Sequence, residues 1–339
     1  MFFMRREGRE SREGVALGGR NAPEAGPYSA HSYSSRPSRP SRPSRPSRLS
    51  RLSRLSRLFL LLLIACRPAP PAGSLTVVDD AGDTVRLAAP ARRVVSLIPA
   101  TTELLFAIGA GHAVVGRTNY CDFPAAAESV PNLGDGIKPN LEAVIASRPD
   151  LVILYNSGQN AAVAGRLREL GVAAMRLNTD ALSSVPRIAR LLGKLTGNEK
   201  AADSLTAVFD TALAAATQPR TGQRLKVLLL VWEQPPMTVG RGSFLNELLE
   251  RAGGENLFGD VAGTDGVVSI EAVAARDPDL IFTTAEGPSA FATRPEWQAV
   301  AAVREKRFLH VTGSEFGRPS PRSPMAIRQL SGKLRGGGN

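Results

Sequence analysis

The sequence is poor in the residues that most chemistry needs. Its 339 positions hold two Cys, three His, two Trp and four Tyr. Two cysteines, Cys66 and Cys121, cannot build a disulfide framework. Only His112 and His310 lie outside the first 66 residues, and neither has a metal-ligand motif around it. A dedicated metal-ion binder needs clustered His, Asp or Glu, so capture of a free ion is a remote reading. Cys121 likewise has no diagnostic His motif that would mark it as a nucleophile. The glycines of "GAGHAVVG" follow a helix pattern and precede a strand, the reverse of a dinucleotide loop, and their spacing is wrong. With no phosphate-binding P-loop or serine elbow either, an enzyme is not expected. The longest apolar run, "LFLLLLIAC" from Leu58 to Cys66, is far below the roughly 20 residues that cross a bilayer.

Charge is present but uneven. The formal net charge is +11, yet residues 1–66 hold 13 Arg and no Lys against 4 Glu, which is +9. The remainder carries +2, so no nucleic-acid partner is expected of the body. The leader contains a three-residue repeat, "RPSRPSRPSRPSRLSRLSRLSRL", with no apolar face and Pro throughout its first half, which predicts disorder. An Arg-rich flank before a short apolar run has the layout of a signal peptide. "LIAC" resembles a bacterial lipobox with Cys66 as the lipidated residue. "RPAPPAGS", at 67–74, reads as a tether. The expected location is periplasmic or extracytoplasmic, with the chain anchored to the membrane through lipid.

The body alternates strand and helix signals. "LTVVDDAGDTVRL" predicts a hairpin around an Asp-Ala-Gly-Asp turn. "RRVVSLI" is a strand. "PATTELLFAIGAG" is a helix with Thr near its cap and Glu103 in its first turn. "AVVGRT", "DLVIL" and "VAAMRL" are further strands separated by helices. The pattern restarts with "LKVLLLVW", "SFLNELLERAGG" and "FLHVT". Such alternation implies βα units and parallel sheets buried on both faces. Between the halves lie about 35 residues with helical period, carrying apolar residues at Ile188, Leu191, Leu192, Leu195, Leu205, Val208, Phe209 and Leu213. This segment reads as one strut, with "TGNE" as a place to bend. Thirty helical residues would span about 45 Å.

One stretch occurs twice. "LEAVIASRPDLVIL" at Leu141–Leu154 and "IEAVAARDPDLIFT" at Ile270–Thr283 align without a gap, with seven coincidences in fourteen positions. The expected boundaries are therefore an N-terminal α/β lobe at 75–182, a bridging helix at 183–218 and a sibling C-terminal lobe at 219–335. Asn140 and Ser269 stand where each repeated helix should begin, and both are good caps.

"RVVSLIPATTELLFAIG", "GRTNYCDFP", "NLEAVIASRPDLVI", "GGENLF" and a late "SPR" occur in an order and spacing that resemble the periplasmic substrate-binding proteins of ABC importers for vitamin B12, iron–siderophores and haem. The similarity runs from about Leu75 to Leu334 and is greatest to the cobalamin-binding branch. It implies two Rossmann-like α/β lobes bridged by a single long helix, the class III periplasmic-binding-protein architecture. A helical strut resists bending more than extended strands do, which predicts little lobe motion. It also implies a monomer that holds a cobalamin-like corrinoid between its lobes and serves a permease dimer with a cytoplasmic ATPase. Haem and ferric siderophores are the alternative ligands. Glu142 and Glu271 match the acidic residues that dock such proteins on their permease, besides favouring their helix dipoles. Tyr120 and Tyr155 match family aromatics at the ligand. Trp232, Phe316 and Arg318, near the ends of second-lobe strands, complete the candidate set for a flat apolar guest with a polar rim. The tryptophan usual before "NLE" is absent from "GDGIKPNLE", and an aromatic expected near "VAGTDGVVS" is missing too.

Overall fold

β-Branched runs and amphipathic helices build two separate sheets in the computed structural model, which describes residues 74–219, 222–284 and 290–336. The basic leader, Cys66 and nearly all of the tether lie outside the described residues. The hairpin forms as expected: β1 (Leu75–Val78) pairs antiparallel with β2 (Thr84–Leu87). Asp79 closes its turn by accepting the Ala81 and Asp83 backbone N–H groups at 3.0 and 2.8 Å.

The first lobe carries β3 (Val94–Ser96), β4 (Val114–Arg117), β5 (Leu151–Tyr155) and β6 (Ala173–Leu177), all parallel, in the order β4-β3-β5-β6. Helix α1 (Pro99–Ala107) follows β3, α2 (Leu141–Ala146) precedes β5, and α3 (Gly158–Glu169) follows it. The second lobe begins with β7 (Lys226–Glu233), which has parallel partners in β9 (Glu255–Asn256) and β11 (Leu280–Thr283); β12 (Phe308–His310) pairs parallel with β11. This sheet is mixed, not wholly parallel. β8 (Pro236–Val239) and β10 (Asp265–Val267) extend it antiparallel beyond β7, with α6 (Phe244–Arg251) after β8 and α8 (Ala301–Arg304) before β12. They are short and carry Pro or Gly, which hides them from a pattern search.

The repeated stretch is repeated in three dimensions. Asn140 caps α2 by accepting the Ala143 N–H, and Ser269 caps α7 (Ile270–Arg276) by accepting the Ala272 N–H, both at 3.1 Å. Val144 and Val273 are the fully buried anchors. Arg148 and Asp277 both take φ near +48° just before the proline. The aspartate after the proline then stitches neighbouring strands. Asp150 accepts the Arg92 and Arg93 N–H groups, and Asp279 accepts that of Lys226. Pro-Asp thus fixes where β5 and β11 start beside β3 and β7.

The segment between the lobes is two helices rather than one rod. α4 (Ser184–Thr196) ends at Gly197, left-handed at φ 72°, and α5 (Glu199–Ala216) starts two residues later. Gly carries the turn because a Cβ makes that φ costly. A Cβ on Gly193 would lie 2.6 Å from that of Ala202, so the helices cross at close range. α5 has 18 residues and spans about 27 Å, not the 45 Å of a continuous strut. α4 packs on α1 and β1, whereas α5 packs on α9 (Ser323–Arg335).

Each sheet is buried on both faces. Val95, Val152 and Leu154 face one side of the first sheet, and Leu228, Leu230 and Ile281 the equivalent side of the second. The opposite faces meet a single apolar cluster that runs through both lobes, from Leu151 and Ile153 through Leu192 and Phe209 to Leu229, Phe282 and Leu330. The lobes therefore share a core along their back.

Candidate functional site

The chain ends of parallel strands are where α/β sheets present ligand groups. Tyr120 follows β4, Tyr155 ends β5 and Trp232 lies near the end of β7. Tyr120 is 38% exposed, Trp232 39% and Phe123 40%. These three are the aromatic residues among the large exposed apolar side chains of the described residues. Trp232 is not loose: its Nε1–H donates to the Gln234 carbonyl at 2.8 Å, which ties the ring's edge and leaves its faces available. The Tyr120 loop is held from below. Its backbone N–H donates to Thr118 Oγ1, and Cys121 is fully buried with its sulfur 3.1 Å from Thr102 Oγ1 and 3.3 Å from Thr118 Oγ1. Those hydroxyl contacts make Cys121 an anchor of the loop.

Tyr155 is half-buried against the shared core, and its hydroxyl donates to Asp180 Oδ2 at 2.7 Å. Burial and that hydrogen bond push the phenol well above its ordinary range, so it keeps its proton. Phe316 is only 4% exposed and belongs to the shared core, so its ring is taken up by packing.

Arg318 meets protein groups on every side. Its Nε donates to Glu103 Oε1 at 2.7 Å, its Nη1 to the Tyr120 carbonyl at 3.3 Å, and its Nη2 to Asp122 Oδ1 and Ser314 Oγ. Arg322 joins the same carboxylate, with Nε on Glu103 Oε2 at 2.9 Å and Nη2 on Oε1 at 2.8 Å. Arg322 also pairs with Glu315 at 2.6 Å, and its guanidinium carbon lies 4.1 Å from the centre of the Phe123 ring. Burial works against a charged Asp122, but the Arg318 guanidinium outweighs it and holds the carboxyl below its usual value. Glu103 is not in the first turn of its helix as expected, because the helix starts at Pro99. Phe123, Arg322 and Glu315 escape a sequence search. Phe123 sits three residues from Tyr120 in "NYCDFP", and that adjacency was the one available signal.

Glu142 and Glu271 are both exposed in the first turns of α2 and α7. The Glu271 carboxylate accepts its own backbone N–H and the Ser269 hydroxyl, which lowers its pKa. Among the described residues, no group of three or more His, Cys, Asp or Glu could hold a metal ion, and no helix is long and apolar enough to cross a membrane. A surface depression of about 610 Å³ lies at the other edge of the first sheet, beside Arg86, Arg92, Asp150 and Arg168, away from the strand ends just described.

Two α/β lobes share one apolar core, and each presents exposed aromatic side chains at or after the ends of its strands. The chain belongs to the periplasmic binding protein family, which it matches over residues 94–314. It is 27% identical over 243 residues to the vitamin B12-binding protein of Vibrio cholerae serotype O1, an alignment covering 71% of this chain and 88% of that one. It is 28% identical over 267 residues to the uncharacterized ABC transporter substrate-binding lipoprotein YvrC of Bacillus subtilis, covering 76% and 84%. The periplasmic heme-binding protein RhuT of Roseiflexus sp. RS-1 shares the fold, with a TM-score of 0.66 at 23% identity over 73% of this chain and 99% of that structure.

Proposed function

We propose that this protein is the substrate-binding component of an ABC importer, that it takes a cobalamin-like corrinoid between its lobes, and that it hands the ligand to a permease dimer. The observation that carries the reading is the placement of Tyr120, Phe123 and Trp232. These exposed aromatics stand at strand ends of two lobes whose core is continuous. Aromatic faces suit a wide flat guest, and two lobes already held on one core limit the ordering cost of binding. On this reading Glu142 and Glu271 dock the two lobes on a two-fold permease, and a lipid on Cys66 keeps the protein at the membrane. Phe316 and Arg318 support the site from behind it.

Haem and ferric siderophores are the competing ligands. Two features favour the corrinoid. The Tyr155 hydroxyl is already engaged with Asp180, so an iron ligand there would have to break that hydrogen bond. Arg318 and Arg322 are already matched to Glu103, Asp122 and Glu315, so they do not offer free positive charge to the carboxylates of a porphyrin. A neutral rim of amides asks for neither. Absorbance-monitored titration with cyanocobalamin, haemin and a ferric hydroxamate tests the assignment. Saturable binding of cyanocobalamin alone or most tightly is expected. Tight haemin binding without corrinoid binding would reassign the ligand.

A further inference from the structure

Besides the shared core, the lobes are joined by a second, ionic connection. Glu103 lies on α1 of the first lobe, and its side chain is 1% exposed. Both of its oxygens are taken by Arg318 and Arg322 of the second lobe, through three contacts of 2.7–2.9 Å. Those arginines are 15% and 13% exposed. Arg322 stands at the start of α9, whose Ala326, Ile327 and Leu330 are buried in the shared core, so the grip has a rigid base. Glu315, 12% exposed, and the Ser314 hydroxyl orient the guanidinium groups. The same two arginines hold the loop carrying the exposed aromatics. Arg318 binds the Tyr120 carbonyl and Asp122, while Arg322 stacks on Phe123.

We propose that Glu103, Arg318 and Arg322 form an interlobe clasp that fixes the spacing of the two lobes and positions the Tyr120–Phe123 loop. Hinge opening would separate charges that water screens little. The clasp therefore adds an ionic hold on the lobes to that of the shared core. All three are positioning residues: they set where the aromatic wall stands without touching the guest.

Hydrogen exchange on the full chain, with small-angle scattering, tests this without any ligand, so its outcome is independent of the corrinoid assignment. In the wild type, the amides of Asn119 and Cys121 should be protected to the level of β4. Glu103→Gln keeps shape and removes the charge. In it, amides of 118–123 should exchange about tenfold faster while those of β5 and β11 stay unchanged, because the lobes can part without either sheet unfolding. The scattering radius should rise as the lobes part. Arg318→Gln should do the same and decides the matter if Glu103→Gln does not fold. Unchanged loop protection and radius in either folded variant would overturn the clasp. So would free exchange of the 118–123 amides in the wild type.

Discussion

Glu103 shows how far a residue's meaning lies from its neighbours in the chain. Its charge is plain in "ATTELL", but its partners stand 215 and 219 positions later. No local pattern connects them. Breaking a buried pair by removing one partner leaves uncompensated charge. Glu103→Ala should therefore lower unfolding free energy by about 3–5 kcal/mol in urea titration, whereas a surface change should stay near zero. Asp122 gives a pH test. Its folded carboxyl titrates below the ordinary value of 3.8, so its contribution is present above that pH and is lost as pH falls through the lower folded value. Between about pH 5 and pH 3 the wild type should lose more stability than Asp122→Asn. Equal losses would mean the Arg318 pairing is not felt. The Phe316 ring makes the opposite point: an aromatic after a strand looks available, but only tertiary packing decides whether it is free.

At the scale of elements, local chemistry is more candid. Asn140 and Ser269 are caps because a short polar side chain beside a helix start has few better partners than an orphan N–H. Either residue changed to Ala should cost about 1 kcal/mol of stability. The repeated Pro-Asp was also legible, although its purpose emerges only when Asp150 and Asp279 are seen on the backbone of neighbouring strands. The break at Gly197 was half visible, since "TGNE" suggests a bend but not a full reversal into a second packed helix. Gly193 explains the remainder. In an isolated helix Gly→Ala gains about 1 kcal/mol. Here the new methyl would meet Ala202 at 2.6 Å, so Gly193→Ala should destabilise by about 1–3 kcal/mol, read as a lower unfolding midpoint. A gain would show that the crossing is looser than described.

For the whole molecule, the two-lobed α/β architecture could be read from the alternation of elements and from the repeat. The continuity of the core could not, because helices of both lobes contribute to it and their faces meet only after folding. That continuity, more than a stiff rod, accounts for an expectation of little lobe motion. If the pseudo-symmetric glutamates dock the protein, Glu142→Lys with Glu271→Lys should spare ligand affinity and abolish stimulation of the importer's ATPase. Undiminished stimulation would remove both from that role. Tyr120 and Trp232 come from different lobes, so the most direct test of a guest held between them is the cyanocobalamin affinity of Tyr120→Ala and Trp232→Ala measured against the wild type. Each should bind about tenfold or more weakly while remaining as stable as the parent. Wild-type affinity in both variants would contradict the account.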